Sequence, residues 1–281
     1  MSPTTRSQSP LRTGLAVFSG LVLGAGGLAF GFLLTFLAAA VLVTGLGVEL
    51  TPASTIVLSL VFVQGVGCLG VALVYRRVRP SIARFVGERV SWLGSREAFD
   101  IGAAVPSLKQ VAVVVVGYVL AFVGGPVVGG FVRSQLAVDT GTNSAVEVAT
   151  GAPSVLLVLI PASVLLIGPG EELLFRGVVQ GRLREVMGPA PAVGLASIIF
   201  ASLHWFALTG GSTAGNALVV AILTVPAVVF GAAYEYTGNV VVPALIHGLY
   251  NATLFTLLYA VLRFGPDAAG PGAGVLTLVG L

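Results

Sequence analysis

Three short clusters in the second half of the chain hold most of the residues able to do chemistry in an otherwise apolar sequence. The first is Gly168-Pro169-Gly170-Glu171-Glu172-Leu173-Leu174-Phe175-Arg176. Its proline removes a backbone donor, and two adjacent carboxylates follow. Glu172 and Arg176 are four apart, so on a helix they share a face and can pair. Glu171 points about 100° away around the same helix and has no local cation, which leaves it available as a general base. The second cluster is Phe200-Ala201-Ser202-Leu203-His204, and the third is His247-Gly248-Leu249-Tyr250-Asn251. His204 and His247 are the chain's 2 histidines. His247 and Asn251 project from one helix face. Together these residues are the parts of a hydrolase acting on a peptide bond. Glu171 and His204 can activate water, and His247 and Asn251 can stabilise an oxyanion through N–H donors.

The elements that must position these groups are membrane helices. Of 281 residues, 56% are hydrophobic and 9% charged, against roughly 25% charged in soluble domains. So few charges cannot cover a water-facing surface. About 20 apolar residues are needed to cross the hydrocarbon core, and seven stretches qualify: 15–44, 55–75, 109–132, 154–178, 190–208, 215–234 and 239–262. The expected fold is all-α, a polytopic transmembrane helical bundle of about seven spans. The first stretch is too long for a signal-peptide core of about 7–15 residues, so a retained helix is expected. The single cysteine, Cys68, excludes an internal disulfide and reads as a small core hydrophobe. No Lys/Arg block points to nucleic acid.

Between spans two and three, residues 76–108 interleave Arg76, Arg77, Arg79, Arg84, Arg89 and Arg96 with Ile82, Phe85, Val86, Trp92, Leu93 and Phe99. This pattern predicts an amphipathic helix lying on the membrane surface. The segments before span one, between spans two and three, and after span four are rich in arginine. The positive-inside rule then predicts a cytoplasmic N-terminus and an outer C-terminus in a multi-pass protein of the cell membrane. Gly20/Gly24 and Gly27/Gly31 have the GxxxG spacing of closely packed helices. The expected organisation is a cytoplasmic polar tail (1–14), an N-terminal membrane region (15–150), a catalytic membrane region (151–264) and a Gly/Pro-rich tail (265–281).

The ordered trio Glu171-Glu172…Arg176, Phe200…His204 and His247…Asn251 resembles the CAAX-protease and bacteriocin-processing (CPBP, or Abi) family of intramembrane endopeptidases. The resemblance covers roughly residues 150–263. It implies Glu171 as base, His204 helping to hold the attacking water, and His247 with Asn251 as oxyanion hole. It also implies Arg176 orienting the glutamate pair and Phe200 packing near the site. Members are described both as metalloproteases and as metal-independent glutamate proteases. Glu171, His204 and His247 could hold a divalent ion such as zinc, but no His-Glu-x-x-His spacing is present, so a metal-free mechanism is expected. The expected partners are membrane lipid and a peptide or protein substrate, lipidated or not. Two other functions fit the same residues: a non-catalytic membrane scaffold or immunity-type protein of the same fold, and a proton-coupled transporter. Simple counting leaves His204 and Glu171 ~10 Å apart in depth, a gap that tilt or a shifted span boundary must close. The four site residues are expected to share one polar cavity that opens toward the cytoplasmic side or the lipid.

Overall fold

The computed structural model describes residues 10–89, 100–136 and 138–265. Seven helices are long and apolar enough to cross a membrane: α1 (Pro10–Gly45), α2 (Pro52–Phe85), α3 (Leu108–Val132), α5 (Pro153–Arg184), α6 (Pro189–Ala207), α7 (Thr213–Thr237) and α8 (Val241–Phe264). A short helix, α4 (Ser144–Gly151), lies between α3 and α5. Two two-residue strands, β1 (Thr142–Asn143) and β2 (Leu208–Thr209), pair antiparallel. The fold is the expected polytopic all-α bundle. Its outer face carries large apolar side chains such as Phe18, Phe36, Phe131 and Leu165, each at least 65% exposed. So dense an apolar exterior suits lipid, where helices satisfy their own backbone hydrogen bonds.

Chain direction sorts the connections onto two ends of the bundle. The start of α1, the far end of α2 and the α5–α6 turn lie at one end, where ion pairs join α2 and α7 to that turn. Arg79 donates to Glu185 Oε2 at 3.0 Å, Arg182 also pairs with Glu185, and Arg184 pairs with Glu235 at 2.9 Å. The α1–α2 connection, α4 and the β1–β2 ribbon lie at the opposite end.

Glycines set the closest helix crossings. Gly20, Gly24, Gly27 and Gly31 form one buried stripe on α1. A Cβ on Gly24 would lie 3.1 Å from the Phe175 ring of α5, and one on Gly31 would lie 2.6 Å from Phe62 O of α2. The GxxxG spacing thus does what it implies, and it serves two neighbours. The α5–α8 crossing is equally close: Gly248 of α8 would place a Cβ 2.8 Å from Ser163 O of α5.

Several boundaries differ from the sequence reading. The arginine-rich segment does not begin a separate interfacial helix at 76; the second helix continues through Pro80 to Arg89. Val71–Arg77 holds no turn signal, and its Ala, Leu and Arg residues are good helix formers. Residues 90–99, with Trp92, Leu93, Arg96 and Phe99, lie outside the described residues. Residues 100–107 are a non-helical strap. Asn239 holds it: Nδ2 donates to Ala104 O at 2.9 Å, Oδ1 accepts from Ala104 N at 3.1 Å, and Val240 N donates to Gly102 O at 2.8 Å. The expected polar tail 1–14 is helical from Pro10, which occupies a helix's first turn well because its missing N–H is not needed there; residues 1–9 lie outside the description, as do 266–281 of the C-terminal tail. Gly168-Pro169-Gly170 does not interrupt α5. The helix passes through it, flanked by wider π-helical turns at Ser163–Ile167 and Leu173–Gln180, and runs on to Arg184.

Candidate active site

The extra length of α5 closes the expected gap in depth. Counted from the turn that joins α5 to α6, Glu171 lies thirteen residues back from Arg184 and His204 fifteen residues on from Pro189. At about 1.5 Å per residue these are roughly 20 and 22 Å, nearly the same level. His247 reaches that level from the third side because the α7–α8 turn is sunk into the bundle. Asn239 and Val240 are buried there, covered by the strap. Gly238, at φ +60°, makes the left-handed turn that ends α7.

All four expected catalytic residues line one cavity of about 460 Å³ between α1, α2, α5, α6, α7 and α8. Glu172 and Arg176 are fully buried beneath it. Arg176 Nε donates to Glu172 Oε2 at 2.8 Å, the ion pair that the four-residue spacing predicts. Arg176 therefore holds Glu172, not the glutamate pair as a whole. The other oxygen, Glu172 Oε1, faces His247 Nδ1 at 3.0 Å. A carboxylate can only accept, so Nδ1 carries the imidazole proton. His247 Nε2 then accepts from the Asn251 amide at 3.1 Å. His204 Nδ1 donates to Phe200 O at 3.0 Å, which leaves its Nε2 lone pair free of that bond.

Glu171 has a different environment from its neighbour. Its Oε1 accepts from Gln64 Nε2 at 2.7 Å. Its Oε2 has no hydrogen-bond partner among the described residues and lies 3.9 Å from His247 Nε2. One oxygen is thus held and the other is available. Phe200 packs at the centre of the group: its ring lies 4.6 Å from His204, 5.8 Å from His247, 5.0 Å from Phe175 and 5.1 Å from the Arg176 guanidinium. The last is a desolvated cation–π contact.

Sequence reasoning missed three contributors. Gln64 is the amide that holds Glu171, and its signal was available as the one Gln in the apolar run 55–75. Phe230 stacks on His247 at 4.8 Å and 16°, but a phenylalanine in an apolar helix carries no signal of its own. Ile101 of the strap packs under the site: a Cβ on Gly177 would meet its side chain at 2.9 Å. Among the described residues, no group of three or more His, Cys, Asp or Glu side chains could hold a metal ion. Both ring nitrogens of His247 are already engaged, and Glu172 is committed to Arg176 and His247. The residues as arranged do not form a three-ligand set.

Residues 153–253 match the family described as type II CAAX prenyl endopeptidase Rce1-like. An uncharacterized protein, YpbD, of Bacillus subtilis (strain 168) is 31% identical over 119 residues, which is 42% of this chain and 53% of YpbD. The chain thus spans about half the length of the curated relative it matches. No solved structure matches it. The matched segment contains Glu171, Glu172, Arg176, Phe200, His204, His247 and Asn251, so the part of the chain that carries the candidate catalytic residues is similar to the Rce1-like type II CAAX prenyl endopeptidases, in agreement with the motif trio.

Proposed function

We propose that the protein is an intramembrane endopeptidase that uses Glu171 to activate water. The observation that carries this reading is the contrast between the two adjacent carboxylates. Glu172 is ion-paired with Arg176 and accepts from His247, while Glu171 keeps one oxygen without a hydrogen-bond partner in the cavity that both histidines and Asn251 line. A carboxylate oxygen that faces the cavity with no protein partner is free to take a hydrogen bond from water, as a general base must.

In this mechanism Glu171 takes one proton from water while His204 Nε2 accepts a hydrogen bond from the other. The hydroxide oxygen attacks the peptide carbonyl carbon. Asn251 keeps one N–H on His247 Nε2 and donates its other N–H to the developing oxyanion, so His247 positions that donor. Glu172 holds the imidazole in place by accepting from its Nδ1–H. Collapse of the tetrahedral species breaks the C–N bond, and Glu171 returns its proton to the leaving amine. No step is routed through a metal. The protein lies in the cell membrane with its N-terminus in the cytoplasm, and its substrate is a membrane-associated protein or peptide, lipidated or not.

Glu171→Gln keeps the shape and removes the base, so turnover falls about 10²–10⁴-fold. Asn251→Ala removes an oxyanion donor and lowers it about 10²–10³-fold. A comparison of new protein N-termini in membranes holding wild type or Glu171→Gln tests the reading. Termini that vanish with the variant are expected; identical sets, with both proteins inserted at equal levels, would refute it.

A further inference from the structure

The cavity is closed at one end of the bundle and open at the other. Gln64, Glu171 and His247 form its inner end. From there the lining runs away from the arginine-rich end on every helix. Leu60 precedes Gln64 on α2, Ile167 precedes Glu171 on α5, and Leu254 follows His247 on α8. Asn143 of β1 and Leu208 of β2 lie at the mouth. Toward the arginine-rich end the space is filled. Residues 171–180 are all buried. Ile101 seats on Gly177, and Leu174, Val178 and Leu183 pack into the main core. Of the two openings expected, toward the cytoplasmic side or toward the lipid, this argues against the first.

Charge assigns the two ends to the two sides of a membrane. Arg12, Arg76, Arg77, Arg79, Arg182 and Arg184 gather at the closed end, against Arg133 and Arg263 toward the other. By the positive-inside rule the closed end is cytoplasmic. Resting on the protease reading above, we infer that the substrate enters from the non-cytoplasmic face and is an uncharged, mostly apolar stretch of polypeptide at the outer boundary of the membrane, cut internally. The walls are largely apolar and carry no lysine or arginine. A free C-terminal carboxylate would lose its hydration there without a cation to receive it. A peptide bond within an apolar stretch carries no such penalty. A lipidated C-terminal tail reaching in from the cytoplasm would meet the packed floor of Ile101 and α5. Hydrolysis breaks the internal C–N bond, with hydroxyl from water on the acyl carbon and hydrogen on the amine.

Two measurements on the full-length protein test this. The first is sidedness. In a Cys68→Ala background, Asn143→Cys at the mouth is expected to react with a membrane-impermeant maleimide added to intact cells. Ser81→Cys, at the arginine-rich end, is expected to react only in inverted vesicles. The reverse pattern overturns the inference whatever the activity. The second is the position of the cleavages that depend on Glu171, mapped onto the membrane proteome. Cuts at outer boundaries, within apolar segments, are the expected result. Glu171-dependent cuts at cytoplasmic boundaries or at free C-termini overturn the inference while leaving the protease reading intact. Loss of that reading itself has a separate signature: no Glu171-dependent cuts, with sidedness labelling unchanged.

Discussion

Neighbouring glutamates in this protein differ because their helix directions differ. Glu172 points to Arg176 and His247 and is saturated, whereas Glu171 points into the cavity with Gln64 as its holder. Gln64 should therefore set the orientation of the base without touching substrate. Gln64→Leu removes one hydrogen bond to a charged group, about 1.5–3 kcal/mol, and should lower kcat roughly 10–10²-fold with KM unchanged. A rise in KM with kcat preserved would show that Gln64 contacts substrate instead. Arg176 is a different case, because its guanidinium is fully buried beside Glu172. Arg176→Met strands that carboxylate and should cost about 3–5 kcal/mol of stability, read as a lower unfolding temperature in detergent. Adding Glu172→Gln should recover part of that loss, since the two sites form one coupled pair.

Helix crossings at glycine determine whether the side chains meet. Gly168 of α5 and Gly248 of α8 face each other so closely that a Cβ on Gly168 would lie 3.0 Å from Gly248 N. That crossing brings His247 within hydrogen-bond distance of Glu172. Gly248→Leu should push α8 from α5 and lower activity at least tenfold, although residue 248 takes no part in the chemistry. The wider π-helical turn at Leu173–Gln180 lets the whole segment bury its side chains, including Arg176 and Gln180. Overpacking the α1–α2 crossing with Gly31→Val should instead reduce stability by about 1–3 kcal/mol. Thermal unfolding and turnover, measured on the same preparations, would separate the two effects.

Across the whole molecule, the cavity lining extends from the site toward the β1–β2 ribbon, away from the arginine-rich end. Sealing by α5 and the strap at one end, with the ribbon at the other, suits hydrolysis of a segment that enters and leaves by one mouth. Since His247 is engaged at both ring nitrogens, strong chelation of the purified enzyme should leave turnover unchanged. Loss of activity that one divalent ion restores would instead place a metal among Glu171, His204 and His247. Reporter fusions after residues 14, 100 and 186 should read as cytoplasmic, and a fusion after residue 281 as external.

Composition and apolar run length were enough to identify a seven-span helical bundle, because each span must satisfy its own backbone in lipid and therefore announces itself locally. The motif residues were equally legible, since Glu171, His204, His247 and Asn251 are costly in apolar surroundings and stand out there. The Glu172–Arg176 pair followed from helix periodicity alone. Tertiary structure decided what depends on contacts between distant residues. Gln64 and Glu171 are 107 positions apart, and no local pattern tells an apolar-looking α2 to hold Glu171. The level at which α5 and α6 meet, the strap that closes the floor and the side on which the cavity opens were likewise undetermined. They depend on where helices end and cross, and those positions are set by glycine contacts and buried asparagine bonds formed only when the bundle is assembled.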